Sequence, residues 1–142
     1  VRWGIGHVLE NRLLGSVYQF NTTGFVASGD HHDWSRRAHR LLEKDGRKRK
    51  WSSARVLLGY DEPRAEMDNT VMIWGLLEGV LGTDPGAFTA LLEALGEVHA
   101  ETDPYGLADD YQGAEEPTVQ AAERRLAEVP LDAILEHLDS LH

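Results

Sequence analysis

The middle of the chain contains the apolar run Val71-Met72-Ile73-Trp74-Gly75-Leu76-Leu77-Glu78-Gly79-Val80-Leu81. Its apolar residues recur at helical spacing and cover nearly the whole circumference of a helix, which predicts a helix from about residue 66 to residue 81. A helix that is apolar on nearly every side must be surrounded by other elements. We therefore expect this segment to be the central helix of the fold.

The segment that follows the apolar run predicts a tight joint and a second helix. Gly82-Thr83-Asp84-Pro85 combines a C-terminal glycine, an aspartate N-cap and a proline at the first helical position. The next helix is predicted from an apolar series at helical spacing: Phe88, Leu91, Leu92, Leu95 and Val98. Because the joint is short, we expect the two helices to pack as an antiparallel hairpin.

Further helices are predicted on the N-terminal side of the central helix. The first spans about residues 2–14, with His7 at the edge of a buried stripe that contains Ile5, Val8, Leu9 and Leu13. The second follows an N-cap at Asp33 and ends at Asp45-Gly46, and it directs Trp34, Ala38, Leu41 and Leu42 inward. A short helix is also predicted over residues 54–58.

On the C-terminal side, Glu116-Pro117 and Pro130 each begin a predicted helix. Alternation typical of a strand is confined to Val17-Tyr18-Gln19-Phe20. The predicted fold class is therefore mainly α: one helical domain of six or seven helices over residues 1–142, with a possible short strand near residues 17–20. A chain of 142 residues is long enough to bury one ordinary core.

Composition excludes several classes of protein. The absence of cysteine removes disulfide frameworks and thiolate metal sites. No apolar run approaches the roughly 18–20 residues of a membrane span, and the N-terminus lacks a signal-peptide pattern, so we expect no membrane association and take the cytoplasm as the default compartment. Because Val1 already lies in a predicted helix, the chain is a fragment, a processed form or a frame with a non-Met start.

Charge is distributed unevenly along the chain, whose net charge is −10. Eight of the 14 Lys and Arg residues lie between Arg36 and Lys50, whereas most acidic residues follow residue 50. Pairing of this basic block with the acidic half, within one chain or in a homodimer, is the preferred explanation. The alternative is contact with phosphate or a nucleic-acid backbone, through Arg36, Arg37, Arg40, Lys48, Arg49 and Lys50. Nucleic acid is the weaker partner, because the next short helix offers only Arg55 to a groove.

The densest cluster of possible metal ligands is Asp30-His31-His32-Asp33. Imidazole and carboxylate together suit zinc or another divalent ion, and His7 can approach from the first helix. The candidate ligands are therefore His7, His31 and His32. Adjacent side chains diverge, however, so a polar loop that ends in the Asp33 N-cap is the preferred interpretation.

The order of several short motifs resembles the C-terminal half of gluzincin-type peptidases of the peptidase-MA kind. The resemblance covers about residues 1–100 and rests on order and spacing. Its motifs are Gly6-His7-Val8-Leu9, Thr23-Gly24-Phe25-Val26-Ala27, Asp45-Gly46-Arg47, Trp74-Gly75-Leu76-Leu77 and Asp84-Pro85-Gly86-Ala87-Phe88. In that family an HExxH helix supplies two zinc ligands and a general base, and a second helix supplies a glutamate ligand.

The departures from the family pattern determine what the resemblance implies. If His7 matches the second histidine of HExxH, the first histidine falls on Trp3, the catalytic glutamate on Gly4 and the glutamate ligand on Thr23. One imidazole without a base does not support ordinary zinc hydrolysis. The resemblance therefore implies a non-catalytic interaction module, with no catalytic residue and no resident cofactor, that binds a protein partner or a second copy. A metal-binding protein or hydrolase that uses the three histidines is the alternative.

Overall fold

The computed structural model describes residues 2–14, 19–21, 24–26, 34–48, 57, 66–102 and 115–141. Within these ranges it contains helices α1 (Arg2–Leu14), α2 (Trp34–Lys48), α3 (Glu66–Thr83), α4 (Pro85–Thr102), α5 (Glu115–Leu126) and α6 (Leu131–Ser140). Two short strands, β1 (Gln19–Asn21) and β2 (Gly24–Val26), pair antiparallel with Phe20 opposite Phe25. Residues 19 and 20 of the predicted strand lie in β1, whereas 17 and 18 lie outside the described residues. The predicted mainly α fold is confirmed.

Helix α3 is the centre of the fold, as its apolar circumference predicts. Helices α1, α2, α4 and α6 pack against it, α2 also contacts α6, and α5 packs on α4. Helix α3 contributes six side chains to the core, all nearly inaccessible to solvent: Val71, Met72, Trp74, Leu76, Leu77 and Val80. Although α3 is strongly apolar, neither it nor any other described helix has both the length and the hydropathy that a bilayer crossing requires.

Three glycines on α3 allow neighbouring helices to approach its backbone closely. Gly75, Gly79 and Gly82 follow one another at intervals of four and three residues, so they lie along one side of the helix. A Cβ at Gly75 would lie 2.6 Å from the Cβ of Ala38 on α2. A Cβ at Gly79 or Gly82 would collide with the side chain of Ile134 or His137, both on α6. These glycines therefore set how closely α2 and α6 pack against α3.

The joint between α3 and α4 differs from its prediction at one residue. Gly82 does not end α3; the helix includes Gly82 and Thr83, and the N–H of Asp84 donates to the carbonyl of Val80 at 2.8 Å. The sequence pattern predicted a capping glycine at Gly82. In the structure this glycine instead allows close packing, because His137 fills the space left by its missing side chain. The Asp84 N-cap is confirmed, since its Oδ1 accepts from the N–H of Ala87 at 3.0 Å.

Helix α2 continues beyond its predicted end at Asp45-Gly46 and ends at Lys48. One glycine in a helix costs only about 1 kcal/mol. The buried residues Trp34, Ala38 and Leu42 anchor the helix against the core, and this packing outweighs the local stop signal.

The prediction that Leu9 and Leu13 are buried is wrong. Both side chains are exposed, by 51% and 78%, whereas His7 and Val8 of the same helix are buried. Helix α1 is therefore rotated relative to the predicted stripe. The rotation directs His7 and Val8 toward the core and brings the side chain of Arg12 to α3.

Candidate functional site

A carboxylate buried in the apolar helix α3 forms the polar centre of the described structure. The side chain of Glu78 is only 3% exposed, and its partners are Arg12 from α1 and His137 from α6. We name these three residues the Glu78 centre. Because a buried charge without partners is very unfavourable, these contacts offset the cost of burying the carboxylate.

Arg12 binds the carboxylate of Glu78 through two parallel hydrogen bonds. Its Nε donates to Oε2 at 3.1 Å, and its Nη2 donates to Oε1 at 2.7 Å. Nε2 of His137 lies 3.3 Å from Oε1. An ionised carboxylate only accepts hydrogen bonds, so the imidazole donates from Nε2–H in this arrangement. Forked guanidinium pairing of this kind is among the stronger polar contacts in proteins.

The electrostatics of the pair favour a charged guanidinium. The hydrogen bond to Glu78 is the main cause that raises the pKa of Arg12 above its ordinary value; burial opposes it, and the charge of Glu78 adds to it. With a raised pKa, the stabilisation is complete below the unfolded-state value and disappears as pH rises through the folded-state value. That window is strongly alkaline, so Arg12 remains a cation throughout the neutral range.

The chemistry of the Glu78 centre is that of a clamp between helices. Both carboxylate oxygens are engaged, and the charge of Arg12 neutralises the charge of Glu78. The ring of His137 rests where a side chain at Gly82 would otherwise stand. The centre therefore joins α1 and α6 to α3, and both oxygens of its carboxylate are in contact with these partners.

The structure places only one of the three candidate metal ligands. His7 is 7% exposed, and its ring packs edge-on against Trp34, with the ring centroids 5.8 Å apart. Trp34 in turn packs edge-on against Trp74, also at 5.8 Å, so His7 is part of an aromatic cluster. His31 and His32 lie outside the described residues. Over the described ranges, no three or more His, Asp or Glu side chains form a group that could hold a metal ion.

Part of the basic block forms contacts within the fold. Arg37 is half-buried, and its guanidinium pairs with Asp68 of α3, with Nη2 2.5 Å from Oδ1. Arg36 and Arg40 are exposed on α2, and Nε of Arg40 donates to the carbonyl of Arg36 at 3.4 Å. Lys48 is the last residue of α2, whereas Arg49 and Lys50 lie outside the described residues. Of the six candidate residues, the structure therefore places Arg36, Arg37, Arg40 and Lys48 on α2, within the described part of the chain.

A groove of about 410 Å³ runs between α4 and α5. Three small or apolar residues line it: Ala94, Val98 and Ala121. Charged residues of both signs complete the lining: Glu97, Glu101, Arg124, Arg125 and Glu128. Two of these opposite charges already pair, because Nη1 of Arg125 lies 3.2 Å from Oε1 of Glu128.

Sequence reasoning missed the Glu78 centre. The available signal was Glu78 itself, the one charged residue between Val71 and Leu81. A lone charge in an apolar helix indicates a buried polar contact. Its partners Arg12 and His137 lie far away along the chain and carry no local signal.

Comparison with known proteins identifies no relative of this chain. No protein-family model, no curated protein and no solved structure matches it.

Proposed function

We propose that this chain is a non-catalytic helical protein-interaction module, a remnant similar to the C-terminal half of a gluzincin-type peptidase. The observation that carries the proposal is the exposure of Leu9 and Leu13 on α1. We name this pair the Leu9–Leu13 face. It offers apolar surface to a partner protein on a helix whose other side is fixed to the core.

The Leu9–Leu13 face consists of two large apolar side chains one helical turn apart. Residues four apart lie on the same face of a helix, so the two leucines form one patch. Single exposed leucines are common, whereas neighbouring exposed apolar side chains extend a contiguous apolar surface, and large surfaces of that kind mark contact sites. Because Val8 is buried and Arg12 is bound to Glu78, the helix presents this patch without rearrangement.

The environment of the polar residues supports a non-catalytic role. The carboxylate of Glu78 is held by Arg12, and the ring of His7 is packed against Trp34. Zinc hydrolysis needs an open metal position and an available base. Both of these side chains instead have contacts that hold helices together.

A turnover assay tests the absence of catalysis. We expect the purified, untagged chain to leave casein and a mixed peptide library uncleaved, with or without added Zn²⁺. A matched His7→Ala preparation separates an activity of the chain from a contaminant. Cleavage by the parent chain that disappears in His7→Ala, together with one bound metal ion per chain, would favour the metal-dependent alternative.

The proposal also predicts that the Leu9–Leu13 face is unnecessary for folding. We expect Leu9→Gln/Leu13→Gln to change the free energy of unfolding by no more than about 0.5 kcal/mol, because both side chains already contact water. Chemical denaturation measures this. Leu42→Gln, which introduces an amide at a fully buried position, is the contrasting control and should be severely destabilised. An equal loss of unfolding free energy in both variants would contradict the exposure of Leu9 and Leu13.

A further inference from the structure

Two helices carry exposed rows of like charge at matching spacing. On α2, Arg36, Arg40 and Lys44 are exposed and follow one another every four residues. On α4, Glu93, Glu97 and Glu101 are exposed and have the same spacing. We name these sets the basic row and the acidic row.

The two rows also match in length. Each spans nine residues, so its ends are eight steps apart, and at a rise of 1.5 Å per step this corresponds to about 12 Å along the helix axis. Like charges four residues apart destabilise their own helix, because they are neighbours on its surface. An opposing row of the other sign relieves this repulsion on both helices at once, whether the helices run parallel or antiparallel.

The rows belong to different parts of the fold. Helix α2 packs on α3 and α6, whereas α4 packs on α3 and α5. The helix that carries the acidic row and the segment packed against it are both rich in acidic residues. Residues 85–102 and 115–128 together contain seven glutamates and only two arginines. Residues 34–48 instead contain six Lys and Arg and two acidic residues. Basic residues therefore predominate on α2, and acidic residues predominate on α4 and α5.

Nearby charges of opposite sign reduce the charge of each row, among them Asp139 of α6, which pairs with His39 of α2 at 3.5 Å. Glu43 is exposed on α2 beside the basic row. Arg124 and Arg125 line the groove together with two members of the acidic row, Glu97 and Glu101. Arg125 is already paired with Glu128, and Nε of Arg124 donates to the carbonyl of Gln120 at 3.2 Å. Helix α4 itself contains no Lys or Arg.

We propose that the basic row of one copy docks on the acidic row of a second copy of this chain. The spacing, length and sign of the rows are complementary, and both are present on every copy. This inference concerns a different surface from the Leu9–Leu13 face and goes beyond the proposed function. Exposed ion pairs are individually weak and screened by salt, so the association is modest and electrostatic.

Sedimentation of the full chain tests this inference. We expect self-association at about 50 mM NaCl, with a Kd that rises at least about tenfold at about 500 mM NaCl, where the Debye length is much shorter. A reciprocal pair of contacts gives a dimer, whereas a head-to-tail contact gives larger species as concentration rises. Both of these results support the inference, and a monomer at every salt and protein concentration overturns it.

Charge reversal locates the contact. Arg36→Glu/Arg40→Glu/Lys44→Glu and Glu93→Lys/Glu97→Lys/Glu101→Lys should each be monomeric at low salt. An equimolar mixture should associate again. The reversed basic row of one variant is now acidic and meets the reversed acidic row of the other, which is now basic, while the native acidic row of the first variant meets the native basic row of the second. Circular dichroism establishes that each variant is folded. A folded pair of variants that does not associate on mixing overturns the inference.

A control of equal charge separates the row from net charge. Glu116→Lys/Glu123→Lys/Glu136→Lys changes the net charge by the same amount as reversal of the acidic row, at exposed positions elsewhere. We expect it to associate at least as well as the parent chain, because the general repulsion between acidic copies falls. Loss of association in this control contradicts docking at the acidic row.

A DNA-binding measurement distinguishes a nucleic-acid partner from a second copy of the chain. If the chain remains monomeric but binds a duplex DNA oligonucleotide through the basic row in a salt-sensitive manner, the second-copy inference is wrong and the nucleic-acid alternative is favoured. Neither result bears on the Leu9–Leu13 face, which is tested by its own variants and by cross-linking.

Discussion

Alanine at Gly79 is expected to destabilise the protein by about 1–3 kcal/mol, although alanine is normally the better helix former. The added Cβ would lie well under 3.0 Å from the side chain of Ile134, which is 3% exposed and has no room to withdraw. Helix α6 must therefore shift away from α3, and packing along the whole contact is weakened. Urea denaturation of the parent chain and Gly79→Ala measures the effect.

Gly96→Ala is the matched control for this prediction. Gly96 also lies inside a helix, but a Cβ there has no neighbour within 4 Å. Alanine at Gly96 should therefore stabilise the protein, by up to about 1 kcal/mol. In a double-mutant cycle, Ile134→Ala should cost less in the Gly79→Ala background than in the parent chain. Equal effects of alanine at the two glycines would show that α6 does not pack against Gly79.

Arg12→Met is expected to lower the free energy of unfolding by about 2 kcal/mol at neutral pH. The substitution leaves the carboxylate of Glu78 buried with only His137 as a partner. Loss of one member of a fully buried ion pair costs about 3–5 kcal/mol. The side chain of Arg12 is 43% exposed, so solvent screening reduces the expected loss. Urea denaturation at neutral pH measures it.

Arg12→Met/Glu78→Gln should recover most of the loss at neutral pH, because the second change removes the orphaned charge. A deficit that persists in the double variant would show that Arg12 contributes through packing of its stem.

The positions of the helices could be predicted because each depends on local information. The apolar circumference of residues 71–81 requires a central helix, and the Asp84-Pro85 pair begins the next helix as expected. The errors arose where tertiary packing changed the meaning of a local signal. Gly82 makes room for His137 rather than ending α3, and α2 extends past Gly46 because its buried residues hold it against the core.

The rotation of α1 and the Glu78 centre could not be predicted from local patterns. Arg12 and Glu78 are 66 positions apart, and no spacing rule relates them. Their pairing fixes which side of α1 faces α3. Because the helix follows the pairing rather than its own apolar stripe, Leu9 and Leu13 become exposed.

The candidate site could be predicted only in part. The sequence identified His7 as a residue on the edge of a helix face, and the structure buries it beside Trp34. The separation of basic from acidic charge was visible in the sequence. The matching of Arg36, Arg40 and Lys44 with the acidic row became meaningful only once both helices and their exposed faces were defined.

Photo-cross-linking from position 13 tests the central claim most directly, namely that this chain acts through a protein contact on α1. A benzophenone amino acid replaces Leu13, and the control carries it at the exposed Ala100 of α4. In extract of cells that produce the chain naturally, the account predicts a discrete protein adduct from position 13 alone. Excess parent chain should prevent its formation, and excess Leu9→Gln/Leu13→Gln should not. No adduct from position 13, or the same adducts from both positions, would contradict the account.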